Sequence, residues 1–172
     1  MLAIEQMILE WLETHGQYAI YLVPLFAFAE ACIGIGLLVP SLILVVVSTT
    51  VFTNQLAGIE SIVILAFFGA LLADQLGFYV GRWLGPSFHH SRLATRHRAR
   101  LDKAEAMIRK YGSAAIFIGR FIPAIRSLIP AMLGLSGFER VRYLILDILA
   151  CALWAVALGA IVQGLDAGFF AT

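Results

Sequence analysis

Apolar residues fill the chain from residue 17 to residue 53, and Glu30 is the only acidic or basic residue among them. The stretch is too long for one membrane-spanning helix, which needs about 20 residues, and too short for two full spans with a turn. Gly34, Gly36 and Pro40 fall in its middle, where they disfavour a continuous helix. The pattern therefore predicts a re-entrant hairpin of two half-helices, whose broken backbone must be covered by protein or face a watery cavity.

A second broken apolar stretch covers residues 113–138. It contains Arg120 and Arg126, and Pro123 and Pro130 disfavour a regular helix through it. Residues six positions apart do not share one face of a regular helix. We therefore predict a second hairpin, in which the proline break turns both arginines inward.

Two unbroken apolar runs predict full membrane spans at residues 61–81 and 143–163. The first carries Asp74 toward its end, and the second contains Asp147 and Trp154. Each run is long enough to cross the hydrocarbon core once as a helix.

Two shorter segments have apolar residues at helical spacing and charged residues on their other faces. The segment at residues 4–12 is acidic, and the one from Leu101 to Tyr111 is basic. We predict that both are helices at the membrane surface. Eight Lys or Arg residues lie between residues 82 and 110 against two acidic residues, and this excess predicts a cytoplasmic loop.

The order of elements repeats, which predicts an all-α polytopic membrane protein of two inverted repeats within a single domain, residues 1–172. Each repeat has an amphipathic surface helix, a re-entrant helical hairpin and a transmembrane helix, over about 1–85 and about 101–165. A shift of 96 residues aligns the halves and places Glu30 on Arg126. One span separates the hairpins, so the halves should have opposite orientations, which fits the opposite charges of their surface helices.

The composition also favours a membrane protein over a soluble domain. Of 172 residues, 61% are hydrophobic and 13% are charged, whereas a soluble domain carries about 25% charged residues.

His89, His90 and His97 have no carboxylate or cysteine at ligand spacing, so we predict no metal site and no cofactor. No nucleophile has a nearby base, so no catalytic residue is predicted. Beside a membrane span, the basic loop fits topology and anionic lipid better than nucleic acid.

Four charged side chains are candidates for function: Glu30, Asp74, Arg120 and Arg126. A charge at the bilayer centre costs about 2.5–3.5 kcal/mol on insertion scales, so each needs a partner or water. Glu30 can pair with Arg126, Arg120 can snorkel to the cytoplasmic surface, or the arginines can bind an anion in a wet cavity between the hairpins. We favour the cavity, with Glu30 and Asp74 as ion-coupling residues, because a poorly solvated carboxylate can exchange a proton near neutral pH.

Three stretches carry a family resemblance: FAEACIGIGLLVPS, FFGALLADQLGFYVGRWLG and GRFIPAIRSLIPAMLGLSGF. Over roughly residues 15–165 the chain resembles the DedA family of bacterial inner-membrane proteins, also called the SNARE-associated or VTT-domain family. The third stretch, with the pattern Gly-Arg-Phe-x-Pro-x-x-Arg-x-x-x-Pro, is the most specific. The resemblance implies two opposed re-entrant hairpins in a multi-pass protein of the bacterial inner membrane. It also implies a role in moving lipids across the bilayer, such as undecaprenyl phosphate recycling, phospholipid scrambling or proton-dependent envelope maintenance.

The resemblance implies residue roles as well. The family's essential first-hairpin glutamate corresponds to Glu30, its paired arginines to Arg120 and Arg126, and the aspartate of its span motif to Asp74. Many members follow the hairpin proline with glycine and an acidic residue, whereas serine and leucine follow Pro40 here. A coupling scheme that needs two acids would then use Asp74, or transport would not be driven by protons.

We therefore predict a lipid translocase (flippase) rather than an enzyme, which moves an anionic lipid phosphate, first of all undecaprenyl phosphate. Arg120 and Arg126 would bind the phosphate through charge-assisted hydrogen bonds. Protons or sodium ions are the candidate coupling ions, and a homo-oligomer is compatible with the sequence. The alternatives are an ion-coupled transporter of a small soluble anion, a phospholipid scramblase and, less favoured, a membrane enzyme acting on lipid phosphates.

Overall fold

The computed structural model describes residues 18–33, 35–37, 41–85, 98–122 and 125–170, which form helices and turns without any strand. The seven α-helices of this described part are α1 (Leu22–Ala31), α2 (Ser41–Thr53), α3 (Ile59–Leu84), α4 (Arg98–Tyr111), α5 (Ala115–Arg120), α6 (Ile129–Leu135) and α7 (Arg140–Phe170). Short 3₁₀ helices lie at Ile35–Leu37 and Gly112–Ala114. The predicted all-helical class is confirmed.

Helices α3 and α7 are the two described helices that are long and apolar enough to cross a bilayer. They contain the predicted spans and extend past them at both ends, because polar residues such as Arg82 continue the helix. Arg82 Nη1 donates to the carbonyl oxygen of Phe138 at 2.9 Å. This bond joins the end of α3 to the chain just before α7, so the two helices run antiparallel.

The remaining apolar helices form two interrupted pairs, as the broken stretches predict. Helices α1 and α2 have 10 and 13 residues, and α5 and α6 have 6 and 7. At about 1.5 Å per residue, none of the four reaches across a hydrocarbon core of about 30 Å. The interruptions are therefore observed, whereas a re-entrant path through the bilayer and an inverted relation between the halves stay predictions.

Helix α3 is the centre of the fold and contacts α1, α6 and α7. Its approach to α6 depends on small residues: a Cβ at Gly134 would collide with the carbonyl oxygen of Phe78, and one at Gly81 with that of Ala131. Phe78 also stacks on Tyr143 of α7, with ring centroids 4.1 Å apart and planes 9° apart. Helix α3 is therefore held close to both α6 and α7 at this level.

Buried apolar residues form two main clusters that α3 and α7 both enter. Phe78 and Tyr143 belong to the cluster around the second helix pair, and Ile62 and Val162 to the cluster around the first. Asp74 lies between Ile62 and Phe78 along α3. The region between the two apolar clusters is where the charged residues are found.

The basic amphipathic helix is confirmed as α4. Leu101 and Ala104 are buried, and Met107 and Ile108 pack against the same apolar cluster. Helix α4 contacts α5 and α6, so its apolar face meets the second helix pair.

Several predicted features lie outside the described residues: the surface helix at 4–12, the three histidines of the basic loop, and Gly34, Pro40 and Pro123. Of the predicted hairpin breaks that are described, Gly36 lies in the first 3₁₀ helix. Pro130 lies in the first turn of α6. There a proline is well tolerated, so the chain break precedes it rather than coinciding with it.

Candidate functional site

Five charged side chains are buried among the described residues, and they lie together: Glu30, Asp74, Arg120, Arg126 and Asp147. None of them exposes more than 8% of its surface. They come from α1, α3, α5, the turn before α6, and α7. The fold thus collects all four candidate residues in one place and adds a third carboxylate.

Arg120 is the last residue of α5, and two aspartates share its guanidinium group. Nη1 pairs with Asp74 of α3 and lies 3.8 Å from Oδ1 of Asp147 of α7. Only 8% of Arg120 is exposed, so the side chain does not snorkel to a surface.

Arg126 lies in the turn between α5 and α6 and pairs with the first helix pair. Its Nη2 is 2.9 Å from Oε1 of Glu30. A Cβ at Gly36 would collide with the carbonyl oxygen of Glu30 and lie 3.1 Å from Cβ of Ser127. A glycine at position 36 therefore lets the 3₁₀ helix pass closely between Glu30 and Ser127, the residue that follows Arg126.

Trp154 holds both arginines against one ring. Its centroid lies 5.2 Å from Cζ of Arg120 and 5.6 Å from Cζ of Arg126, within the range of cation–π attraction. The indole face offers negative potential to two cations that would otherwise repel each other. Trp154 therefore helps to keep two guanidinium groups close together.

A cavity of about 170 Å³ lies beside these groups. Glu30, Arg120, Arg126 and Trp154 line it, together with apolar residues of α2 and α7. Its volume corresponds to roughly six waters at about 30 Å³ each. The arginines are thus paired and also have free space beside them.

Asp147 has its own set of partners. Gln75 Nε2 donates to Oδ2 of Asp147 at 2.6 Å, and Sγ of Cys151 lies 3.7 Å from Oδ1. Three carboxylates against two guanidinium groups leave the cluster one negative charge in excess when all five are ionised. One proton or one monovalent cation would neutralise it.

A divalent metal does not suit the same place. Asp74, Asp147 and Cys151 present ligand atoms within 4.8 Å of one another. The guanidinium group of Arg120, however, already pairs with Asp74 and lies near Asp147. A metal ion there would face a fixed cation at close range, which is unfavourable in a poorly solvated site.

Two residues of the site have no predicted role from the sequence: Asp147 and Trp154. Both fall in a span that is apolar on every face, so helical periodicity gives no indication of which face meets the arginines. The sequence feature that could have identified them is their position well inside a predicted membrane span. An acid within a span needs a partner, and a tryptophan near its middle is far from the interfacial positions that the residue prefers.

Comparison with known proteins gives the family of the chain. The VTT domain pattern matches residues 39–164. The chain belongs to the VTT-domain (DedA) family. The match includes all of α3, most of α7 and both arginines, and Glu30 precedes it.

Curated VTT-domain relatives are membrane proteins. The inner membrane protein YabI of Escherichia coli is 25% identical over 137 residues, covering 80% of this chain and 54% of its own length. An uncharacterized membrane protein of Buchnera aphidicola is 26% identical over 137 residues, with the same coverage. Undecaprenyl phosphate transporter A of Bacillus subtilis is 25% identical over 131 residues, covering 73% of this chain and 66% of its own length. The chain spans about half the length of the first of these relatives, and no solved structure matches it.

Proposed function

We propose that this protein is a lipid translocase that moves the phosphate headgroup of an anionic lipid across the inner membrane. The observation that carries the proposal is the pair of buried arginines, Arg120 and Arg126, beside a cavity of about 170 Å³. Two guanidinium groups offer planar sets of N–H donors that fit phosphate oxygens. Burial strengthens such contacts because little water competes for them.

The carboxylates give the site a way to exchange partners. In the structure Arg126 is paired with Glu30, so the positive charge is satisfied without a substrate. A phosphate entering the cavity would compete with Glu30 for the same donors. Protonation of Glu30 would weaken its hold on Arg126 and favour the phosphate.

The walls of the cavity favour a lipid over a small soluble anion. Phe121 and Ile161 line it and are each about half exposed, at 51% and 50%. In a membrane such exposed apolar side chains face lipid. A headgroup could therefore occupy the charged end while its hydrocarbon chain leaves past these residues.

Undecaprenyl phosphate is the substrate that we propose first. It carries a phosphate directly on its chain, so the headgroup is small enough to suit the cavity. The relative in Bacillus subtilis that is named for transport of this lipid supports the choice.

Ion coupling is the second part of the proposal. The first hairpin lacks a second acid after Pro40, but Asp74 and Asp147 share Arg120. The excess negative charge of the cluster makes uptake of a proton, or of a sodium ion, favourable on simple charge balance. Glu30 and Asp74 remain the proposed coupling residues, and Asp147 supplies the further carboxylate.

The arrangement in the membrane completes the proposal. We infer that α1–α2 and α5–α6 are re-entrant hairpins of two inverted repeats, since none of these helices is long enough to cross alone. The basic loop at 82–110 would then face the cytoplasm.

Transfer of a fluorescent polyprenyl phosphate between leaflets of proteoliposomes tests the proposal. The wild type should make inner-leaflet lipid accessible to an impermeant quencher. Arg126→Lys keeps the charge but loses the planar set of donors, so we expect transfer to fall roughly tenfold or more, given the strength of hydrogen bonds to charged groups. Arg140→Lys, at an exposed arginine, is the matched control and should transfer lipid normally.

The outcomes separate the alternatives. Equal transfer by Arg126→Lys and wild type would refute the phosphate-binding role. Transfer of uncharged or zwitterionic lipids at the same rate would indicate a scramblase. Uptake of inorganic phosphate without lipid transfer would indicate a soluble-anion transporter.

Coupling is tested by Glu30→Gln in the same assay across a pH series. Glutamine keeps the shape and a hydrogen-bond acceptor but does not titrate. We expect the pH dependence of transfer to flatten, and because Arg126 loses its ionised partner we also expect a lower thermal stability. An unchanged pH profile would exclude Glu30 as the coupling residue.

A further inference from the structure

A groove leads away from the arginine cavity along α2 and α7. Val45 lines both the cavity and a larger space of about 490 Å³. Thr49 and Thr53 line that groove at steps of four residues from Val45, so they lie on the same face of α2. The groove therefore continues the cavity along one helix face.

Helix α7 forms the opposite wall. Trp154, Leu158 and Ile161 line the cavity, and Leu165 lines the groove. Their spacing of four, three and four residues also places them on one helix face. From Trp154 to Asp166 is 12 residues, or about 18 Å along the helix.

The groove is open sideways and contains hydroxyl groups. Val46 and Leu165 line it and are 61% and 40% exposed. The hydroxyl oxygen of Thr49 is buried and has no hydrogen-bond partner in the described part of the chain. Rotation of the Thr49 side chain about χ1 would turn this hydroxyl into the groove, where it could donate to a phosphate oxygen without the strong hold of a guanidinium group.

One hydrogen bond lies at the far end of the groove. Thr53 Oγ1 donates to Oδ1 of Asp166 at 2.7 Å, and we call this contact the Thr53–Asp166 latch. Beyond it is a separate cavity of about 370 Å³ bordered by Thr53, Asp166 and the turn at residues 55–58. The latch thus lies between the groove and the end of the molecule opposite the basic loop.

We propose that this groove is a second, hydroxyl-lined subsite for the lipid phosphate, and that the Thr53–Asp166 latch closes its exit. The inference rests on the proposed function and adds the route by which the headgroup leaves the arginines. The hydrocarbon chain stays in the bilayer on the open side, past Val46 and Leu165. With the latch closed, the Thr53 hydroxyl donates its single proton to Asp166 and cannot donate to a phosphate. The negative charge of Asp166 also repels a phosphate.

A crosslink between α2 and α7 tests the latch. Thr53→Cys with Asp166→Cys, oxidised in proteoliposomes, should reduce polyprenyl phosphate transfer at least tenfold, and a reductant should restore it. The native cysteines are buried, and wild type treated with the same oxidant is the control. Native mass spectrometry of the oxidised variant should still detect bound polyprenyl phosphate, because the arginine cavity is unchanged.

The hydroxyl subsite is tested without a crosslink. Thr49→Val removes one donor at nearly constant volume, and we expect transfer to fall about fivefold, the effect of one hydrogen bond. Thr49→Ser should recover most of the rate, and Ser61→Ala, at an exposed serine of α3, should have no effect.

The results distinguish this inference from the function on which it rests. If the wild type transfers lipid and both the oxidised pair and Thr49→Val transfer it at the wild-type rate, the groove is not the route although the protein is a translocase. If the wild type transfers no lipid phosphate, the proposed function itself is refuted. If the oxidised pair loses lipid binding as well as transfer, the crosslink acts on the arginine cavity, and the latch role is overturned.

Discussion

Individual charged residues determine what the centre of this protein can do. Placing an arginine or carboxylate at membrane depth is costly, and here Arg120 and Arg126 are each paired with a carboxylate from another helix. Removing one partner of a buried pair leaves an uncompensated charge, which typically costs about 3–5 kcal/mol. The ion pairs therefore constrain which substitutions the cluster tolerates.

The two aspartates that share Arg120 should respond differently to neutralisation. Asp74→Asn removes the direct partner of Arg120, so we expect a loss of about 3 kcal/mol in stability. Asp147→Asn removes the excess negative charge while its amide oxygen can still accept from Gln75, so we expect a loss below about 1 kcal/mol.

Thermal unfolding of the two variants in the same detergent measures the difference. The wild type provides the reference transition temperature. Equal losses in the two variants would show that Arg120 depends on both aspartates alike.

The sequence predicts those site residues whose charge would be costly to place in an apolar environment. Glu30, Asp74, Arg120 and Arg126 stand out because charges within apolar stretches need partners. The contacts of Asp147 and Trp154 depend on how α7 is rotated about its axis. That rotation is set by packing between helices, which a uniformly apolar sequence does not encode locally.

Among the elements, the contact between α3 and α6 is the one most dependent on small residues. A Cβ at Gly134 would meet the carbonyl oxygen of Phe78, so the helices must separate to accept it. We expect Gly134→Ala to destabilise the fold by about 1–3 kcal/mol, the usual cost of overpacking.

Gly164→Ala is the matched control for that substitution. Gly164 lies in α7, where an added methyl group would meet no atom within 4 Å, and alanine favours a helix over glycine. Its transition temperature should stay level or rise. A Gly134→Ala protein as stable as the control would show that α6 can shift without cost.

The sequence predicts which segments are helices better than it predicts the residues at which those helices begin and end. The length of the apolar runs predicts the two spans, and the positions of glycines and prolines predict the interruptions between the shorter helices. The extension of α3 to Leu84 was not predictable from apolarity, because Arg82 is polar and yet continues the helix. The start of α6 before Pro130 follows from a preference of proline for the first helical turn, which hydropathy does not include.

For the whole molecule, the distribution of positive charge predicts which side of the membrane each end of the protein faces. Labelling of one exposed residue near each end tests this orientation. Lys103 and Asn54 are both exposed. Lys103 lies on α4, whose buried residues share a cluster with Leu84 at the end of α3, whereas Asn54 lies between α2 and the start of α3. We expect Lys103→Cys to react with an impermeant thiol reagent only in inside-out vesicles, and Asn54→Cys only in right-side-out vesicles.

Cys32 and Cys151 are buried, so the wild type supplies the unreactive background. The reverse labelling pattern would place the basic loop outside the cell. It would also reverse the direction in which the Thr53–Asp166 latch faces.

The stacking of two guanidinium groups on Trp154 has an optical consequence. Indole emission depends on nearby charges, and the centroid of this ring lies 5.2 Å and 5.6 Å from the two cations. With Trp11 and Trp83 replaced by phenylalanine, Trp154 would be the single fluorophore of its kind in the chain. Its spectrum would then report in real time when a negative headgroup draws either arginine away from the ring.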